Sequence, residues 1–537
     1  MQTVGKSAIV SLGISACICA GCSTGYSRST DIALKSYAGV VVSDCSDVVS
    51  DVRRAVADAK ASDAESRLIH GFPYLRINRF LAHLGKRFRS QPSGAAFEAW
   101  VDRLRAADAE ATRLEITNLP TGKMLPLGKR IFGRVSTRGQ IIEAANECAE
   151  RQRNLELADP RRRQSLIAVA YVSDNYSQLA RSVGLFPLTS IPVASGWEQW
   201  KKDNLSTFRR SIAALAVEGQ LVEYAPASSG VVLAAAEVRE IIERNRDPLL
   251  GIPEPKGRDL ERLFHSFAPI WQIDVTGSYD QIGHPTWHND GVSIVVDRGK
   301  PAVFTRVSHT VVGNQVLLQL NYSVWFQERP RDGPLDVLGG ALDGLIWRVT
   351  LAPDGRPLIY DSVHPCGCYH LLFPLEPLQS KLQNARARDL KELPAILNGT
   401  SVPGPGQRMM LRLATATHYL VATSGVEPQV VQHSSQDYRF ADDRSLRSLR
   451  LAHGGRRSLF GEDGIIVGTE RLERFVLWPM GVDSPGAMRQ WGHHATAFVD
   501  RRHFDDPNLF EGIFGRIELS DNISEEKARS IGLVDEA

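Results

Sequence analysis

Val316-Leu317-Leu318-Gln319-Leu320-Asn321-Tyr322-Ser323-Val324-Trp325-Phe326 is the stretch that decides the fold. Val316, Leu318, Leu320, Tyr322, Val324 and Phe326 take every second position, and their neighbours are mostly polar. Successive side chains of a strand point to opposite faces, so this period describes a half-buried β-strand. On the N-terminal side, Val292 to Val296 and Ala302 to Val307 are β-like runs around the turn Asp297-Arg298-Gly299-Lys300-Pro301. On the C-terminal side, Leu345 to Leu351 and Arg356 to Tyr360 flank Ala352-Pro353-Asp354-Gly355, a hairpin signal. Residues 258–397 are therefore predicted to form an antiparallel β-rich domain, as a sandwich or barrel.

Further upstream the period changes. Val48, Val49, Val52, Val56 and Ala59 recur at three- and four-residue intervals, as a helix burying one face requires. Similar stretches cover 77–90, 94–113, 139–158, 161–182, 205–218 and 232–245. Pro120, Pro126, Pro187 and Pro192 mark connections between them. Residues 46–246 are thus predicted to be a helical domain, closed by the Pro/Gly-rich segment 247–257. A second crowding of Gly and Pro at 398–406 separates a mixed α/β segment, 407–537. The predicted class is α+β.

The chain begins differently. Met1 to Gly21 holds a short polar start with Lys6, an apolar run from Ala8 through Ala20, and then Cys19-Ala20-Gly21-Cys22. The run is too short to span a bilayer, which takes about 20 apolar residues, and has the length of a signal-peptide core. The last four residues resemble the lipobox of bacterial lipoproteins, with Cys19 where leucine is usual. The resemblance implies that residues 1–21 are a signal peptide and that Cys22 becomes the acylated, palmitate-bearing first residue. Residues 22–45 then act as a tether, and the membrane is a partner through the lipid anchor. Ser23, rather than Asp, favours the outer membrane over other sites in the cell envelope. Each buried CH₂ of an acyl chain adds about 0.8 kcal/mol of membrane affinity.

Composition excludes some classes. Apolar content of 43% and charged content of 23% are ordinary for a folded globular chain, so disorder is not expected. A net charge of +2, with dispersed arginines, gives no field suited to nucleic acid. The protein or small-molecule partner is left open by the sequence.

Cysteine placement carries more. Besides Cys17, Cys19 and Cys22 there are Cys45, Cys148, Cys366 and Cys368. An exported protein meets an oxidising compartment, and Cys45 with Cys148 is a plausible disulfide joining the two ends of the N-terminal region. The sharpest constellation is His364-Pro365-Cys366-Gly367-Cys368-Tyr369-His370, with four metal-competent side chains at alternate positions. A straight strand cannot wrap them around one ion, because zinc takes bonds of about 2.0–2.3 Å in a tetrahedron. Pro365 and Gly367 supply places to bend, and His288 is the candidate ligand from elsewhere. Thiolate with imidazole suits Zn or Cu.

His284, Asp290 and His309 are secondary candidates, because six of the 14 histidines fall between 265 and 370. His288-Asn289-Asp290 also resembles the His-x-Asp of the Fe(II)/2-oxoglutarate oxygenases, whose facial triad would be completed by His364 or His370. Alternatively Cys366 and Cys368 are disulfide partners and the histidines are hydrogen-bonded core residues. A second polar patch holds Arg489, His493, His494, Arg501, Arg502, His503, Asp505 and Asp506, in which Asp505 could orient His503. Trp287, Trp325 and Trp347 fit either a sugar-stacking platform or core packing. The zinc-protease His-Glu-x-x-His, the P-loop and the Gly-x-Ser-x-Gly elbow are absent. Two functions follow as expectations: an envelope lipoprotein with a metal or redox site, or a non-catalytic binding or assembly lipoprotein with structural cysteines.

Overall fold

The computed structural model describes residues 44–227, 230–382, 390–398, 402–427 and 434–519; the signal-like segment, Cys22 and its tether to residue 43 lie outside the described residues. The deciding stretch forms the strand Gln315–Arg329. Leu318, Leu320, Tyr322, Val324 and Phe326 enter one apolar core with Trp271, Trp347, Tyr360, Phe373, Leu411 and Leu413. The alternation is real, yet the strand is not half-buried. Gln319, Asn321 and Ser323 on the other face are buried too. Gln319 and Asn321 hydrogen-bond to neighbouring strands, while Trp491 and His494 of the tail lie across a small cavity from Asn321 and Ser323.

This strand belongs to an 11-stranded mixed sheet. One half is a meander: Ala302–Val312, Gln315–Arg329, Gly340–Leu351, Pro357–Val363 and Leu371–Pro374 pair antiparallel in sequence order, and Ala395–Ile396 adds parallel at the edge. The expected hairpin closes at 352–355, where the Ala352 amide donates to the Arg356 carbonyl at 2.8 Å. The other half is assembled from distant segments. Gln220–Pro226 pairs antiparallel with Ile270–Val275, which pairs parallel with Arg408–Leu413, and Leu420–Val426 closes that edge. Ser434–Asp442 joins the halves, parallel to Gln220–Pro226 and to Ala302–Val312. The 352–355 turn signal correctly indicates antiparallel neighbours, whereas the 297–301 turn does not: Ile294–Asp297 pairs with His284–Trp287 in a separate two-stranded sheet. Parallel partners carry no local signal, because their connections are long. The sheet therefore crosses both Pro/Gly-rich boundaries. It also takes Gln220–Pro226 from a region whose pattern is otherwise helical.

The helical layer starts at Cys45–Asp58, capped by the Asp44 carboxylate, which accepts from the Ser46 amide at 3.0 Å. Val48, Val49, Val52 and Val56 are its buried face, packed with residues of Ala95–Asn118 and Arg138–Glu156. Two prolines mislead. Thr121–Phe132 and Phe186–Asn204 are helices with Pro126 and Pro192 inside them. Pro120 and Pro187 sit at their starts, where a missing N–H costs nothing. The 205–218 stretch forms only the 3₁₀ turns Leu205–Arg209 and Ile212–Ala214.

Cys45 and Cys148 are bridged, with Cα atoms 4.7 Å apart and a sequence separation of 103. In the chain-entropy account a closed loop of this length destabilises the unfolded state strongly. Cys148→Ser is expected to lower the unfolding free energy by about 2–5 kcal/mol. Guanidinium denaturation with and without reductant checks this. Identical midpoints for the variant and the oxidised parent would show that the bridge contributes nothing.

Candidate functional site

The segment 364–370 leaves the strand Pro357–Val363 and turns at once. The Gly367 amide donates to the His364 carbonyl at 2.7 Å, and the His364 amide to the Cys368 carbonyl at 3.0 Å. Gly367 takes φ +94° and Tyr369 φ +59°, so the bend falls where glycine permits it. A side chain at Gly367 would also run into the backbone of Ala495. The turn sends the two imidazoles apart. His364 Nδ1 lies 3.2 Å from Asp343 Oδ1, whereas His370 Nε2 lies 2.9 Å from Asp361 Oδ2, beside Arg348.

Cys366 and Cys368 are free thiols, and the Cys368 amide donates to Cys366 Sγ at 3.3 Å. The neighbouring Cys366 and burial push the Cys368 thiol well above its ordinary value. The expected fifth ligand is not there. His288 occupies an exposed turn, with Nδ1 3.4 Å from Asp290 Oδ2. Asp290 is in turn spent on the Val292 and Ser293 amides. His284 Nδ1 donates to the Pro285 carbonyl, and the partly buried His309 Nε2 to that of Pro253. His503 lies in the tail, with Nδ1 3.7 Å from Asp506 rather than on Asp505. Among the described residues no three imidazole, thiol or carboxylate groups gather as a metal-binding set. Of the Zn or Cu ligands expected, the structure brings together the two thiols alone. Neither His364 nor His370 turns toward His288 and Asp290 to complete a facial triad.

The structure instead assembles a different constellation around His364. Asp343, on Gly340–Leu351, holds two imidazoles: His364 on Oδ1 and His418 on Oδ2, the latter at 2.8 Å. His418 Nε2 reaches Asp280 Oδ1 at 3.4 Å. Asp280 Oδ2 collects the Thr276 and Gly277 amides and the Thr415 hydroxyl, and Oδ1 takes the Ala416 amide. All four members of this carboxylate–imidazole chain are buried. The Phe326 ring stacks on His418 at 3.8 Å, nearly parallel.

No family model, curated protein or solved structure matches this chain. The chemistry rests on the geometry alone.

Burial lowers the His418 pKa, but the Asp280 and Asp343 carboxylates facing its two nitrogens outweigh burial and raise it above the ordinary histidine value. Asp343 is kept well below the usual carboxylate range by the two imidazoles. Burial pushes His364 down, so its ring is neutral. An ionised carboxylate only accepts, so Nδ1 carries the proton and Nε2 presents its lone pair. Nε2 has no hydrogen-bond partner among the described residues.

What faces that ring is aromatic and cationic. Tyr369 and Tyr419 stand edge-on to His364 at 5.2 and 5.8 Å. Arg329 covers Tyr419 at 5.0 Å, donates to its hydroxyl, and has no carboxylate pair among the described residues. Trp200, stacked on Trp197, covers Tyr369 at 4.8 Å. Both tryptophans come from Phe186–Asn204. Glu473 acts electrostatically on Arg329, Cys368 and Tyr369, and burial raises its carboxyl to about 7.

Backbone strain marks the same place. Of seven non-glycine residues with left-handed φ among the described residues, Leu342, Tyr369, Ala416 and His418 belong to this cluster. Such outliers cost about 1–3 kcal/mol each and gather where geometry serves function. Apart from His364, sequence patterns single out none of these side chains. Asp280, Arg329, Asp343, His418 and Glu473 are scattered over nearly 200 residues without motif spacing. Trp325 and Trp347 are core residues, as packing suggests.

Proposed function

We propose that this chain is a lipid-anchored protein of the bacterial outer membrane, tethered through Cys22, whose body carries out acid–base chemistry on a small anionic substrate. The observation that carries the reading is the Asp343–His364 pair: a neutral imidazole with Nδ1 toward the carboxylate, its Nε2 without a partner among the described residues, and the Arg329 guanidinium near enough to act on the ring electrostatically. Asp343 orients the ring and would stabilise the imidazolium formed when Nε2 takes a proton. Arg329 is placed to hold the anionic group of the substrate or the charge that develops on it. Glu473, a carboxylic acid poised near neutrality, is the group able to return a proton. Trp200 and the two tyrosines exclude water and offer ring faces to a planar or sugar-like substrate.

His364→Gln keeps a donor toward Asp343 but removes the basic nitrogen. Turnover on a panel of chromogenic esters, amides and phosphoesters is expected to fall about 10²–10⁴-fold in this variant. Absence of turnover on every class, or an unaffected variant, would overturn the acid–base reading and leave a binding or assembly lipoprotein. The anchor is tested separately. Cys22→Ser is expected to move the protein from the membrane fraction to the soluble periplasm and to abolish palmitate labelling; continued membrane labelling of the variant would overturn it.

A second reading, a soft metal such as Zn or Cu on Cys366 and Cys368, is favoured by the two adjacent free thiols. Elemental analysis of the purified protein beside Cys366→Ser decides it: metal bound in stoichiometric amount and lost in the variant supports it.

A further inference from the structure

A cleft of about 550 Å³ opens between the Arg79–Gly85 helix, with its following turn, and the tail. It shares no lining residue with the His364 site. Arg79, Lys86, Arg89 and Arg501 line it, and His503 lies in its wall. Arg79 is held in place by the Gly492 carbonyl at 3.3 Å and by Asp506 and Asp505 at 3.5 and 3.9 Å. About nine-tenths of the Arg79 side chain is buried, yet its Nη2 has no partner. His503 is more deeply buried, with Nδ1 toward Asp506, and its Nε2 is likewise unpartnered. Protein interiors rarely leave such polar atoms unsatisfied, and each instance asks what satisfies it.

The rim is cationic. Lys86 and Arg89 are exposed and have no ion pair among the described residues. The two carboxylates lining the cleft are already engaged: Asp174 with Arg501 at 2.7 Å, and Asp506 with the His503 amide at 2.7 Å. A fixed donor inside and exposed cations at the mouth suit a compact anion with several oxygens, to which charge-assisted hydrogen bonds form best. We infer that this cleft binds a phosphate group, with Arg79 Nη2 donating to its oxygens, His503 Nε2 accepting from its P–OH, and Lys86 and Arg89 pairing with its charge at the mouth. The group is carried either by a free phosphate compound or by a lipid headgroup.

Calorimetric titration of the purified protein with inorganic phosphate, and flotation with vesicles containing phosphatidic acid, test this and separate the two sources. Saturable binding of phosphate supports a free ligand; flotation without phosphate binding supports a headgroup. In either arm the double variant Lys86→Ala/Arg89→Ala, altered only at exposed positions, is expected to weaken binding at least about tenfold. His503→Phe is expected to abolish binding and His503→Gln, whose amide restores a polar group near Nε2, to recover it. Neither phosphate binding nor flotation, or binding indifferent to the Lys86/Arg89 variant, would overturn the proposal.

Discussion

Replacing His494 by leucine is expected to make the protein more resistant to acid, by about 3 kcal/mol at pH 4 relative to the parent. His494 is buried, and neither of its ring nitrogens has a hydrogen-bond partner. Burial, then the nearby Arg489 guanidinium, hold its pKa down to about 3. An unfolded histidine titrates near 6.5. Between these values the unfolded chain binds a proton at this residue and the folded chain does not. Stability therefore rises with pH across that window, and falls as pH drops from about 6.5 toward 3. Two and a half units of that window lie above pH 4, at about 1.4 kcal/mol each. Leucine does not titrate, so the variant escapes this loss. At pH 7 it is expected to be no less stable, since an apolar side chain replaces an unsatisfied polar one. Urea denaturation at pH 7, 5.5 and 4 gives the comparison. Parallel pH profiles for the two proteins would mean that the imidazole is hydrated and titrates normally.

Asp343→Asn is expected to cost about 3–5 kcal/mol, because it leaves a charged imidazole in the interior with one of its two carboxylates gone. His418 is held above its ordinary pKa by Asp280 and Asp343 together. Stability from a raised base is fully present below its unfolded value of about 6.5 and is lost as pH rises through the folded value. The parent should thus weaken on going alkaline by an amount that the Asn variant no longer shows. Asp343 itself lies below its ordinary value, so its own contribution is present above about pH 4 and disappears in acid. A variant within about 1 kcal/mol of the parent at pH 6 would contradict the strong coupling of the two buried charges. His364→Gln should be much milder in the same measurement, since His364 is neutral and its Nδ1 donor is replaced. That contrast separates the charged half of the carboxylate–imidazole chain from its neutral end.

Local structure was legible in the sequence wherever the physics is local. The two-residue period of 316–326, the Pro-Asp-Gly hairpin and the valine stripe of 48–56 each report a single element and its buried face. The Cys45–Cys148 pairing follows from the small number of cysteines left to choose among. Parallel pairings do not leave such traces. Val222 and Ser434 are neighbours across the sheet, yet nothing in either segment names the other. The site suffers from the same blindness. His364 drew attention through its company with Cys366, Cys368 and His370, which turns out to be company along the chain and not around a common centre. Its working partners arrive through register: Asp343 from the strand two residues past Ala341, and His418 from a tight turn before Leu420. A period-two cluster of ligand-type residues suggests convergence, but a left-handed glycine in its middle rotates the two ends away from each other.

The position of Ser434–Asp442 has a consequence for how such a protein is made. Among the described residues it is the only strand linking the meander to the second half of the sheet, and it comes from late in the described chain. Until more than 430 residues have been synthesised, Gln220–Pro226 and Ala302–Val312 each offer a bare edge with no partner. Edges of this kind invite pairing with other chains. The first edge waits through roughly 210 further residues and the second through roughly 120, so shielding both until Ser434–Asp442 arrives is the demand that this topology makes.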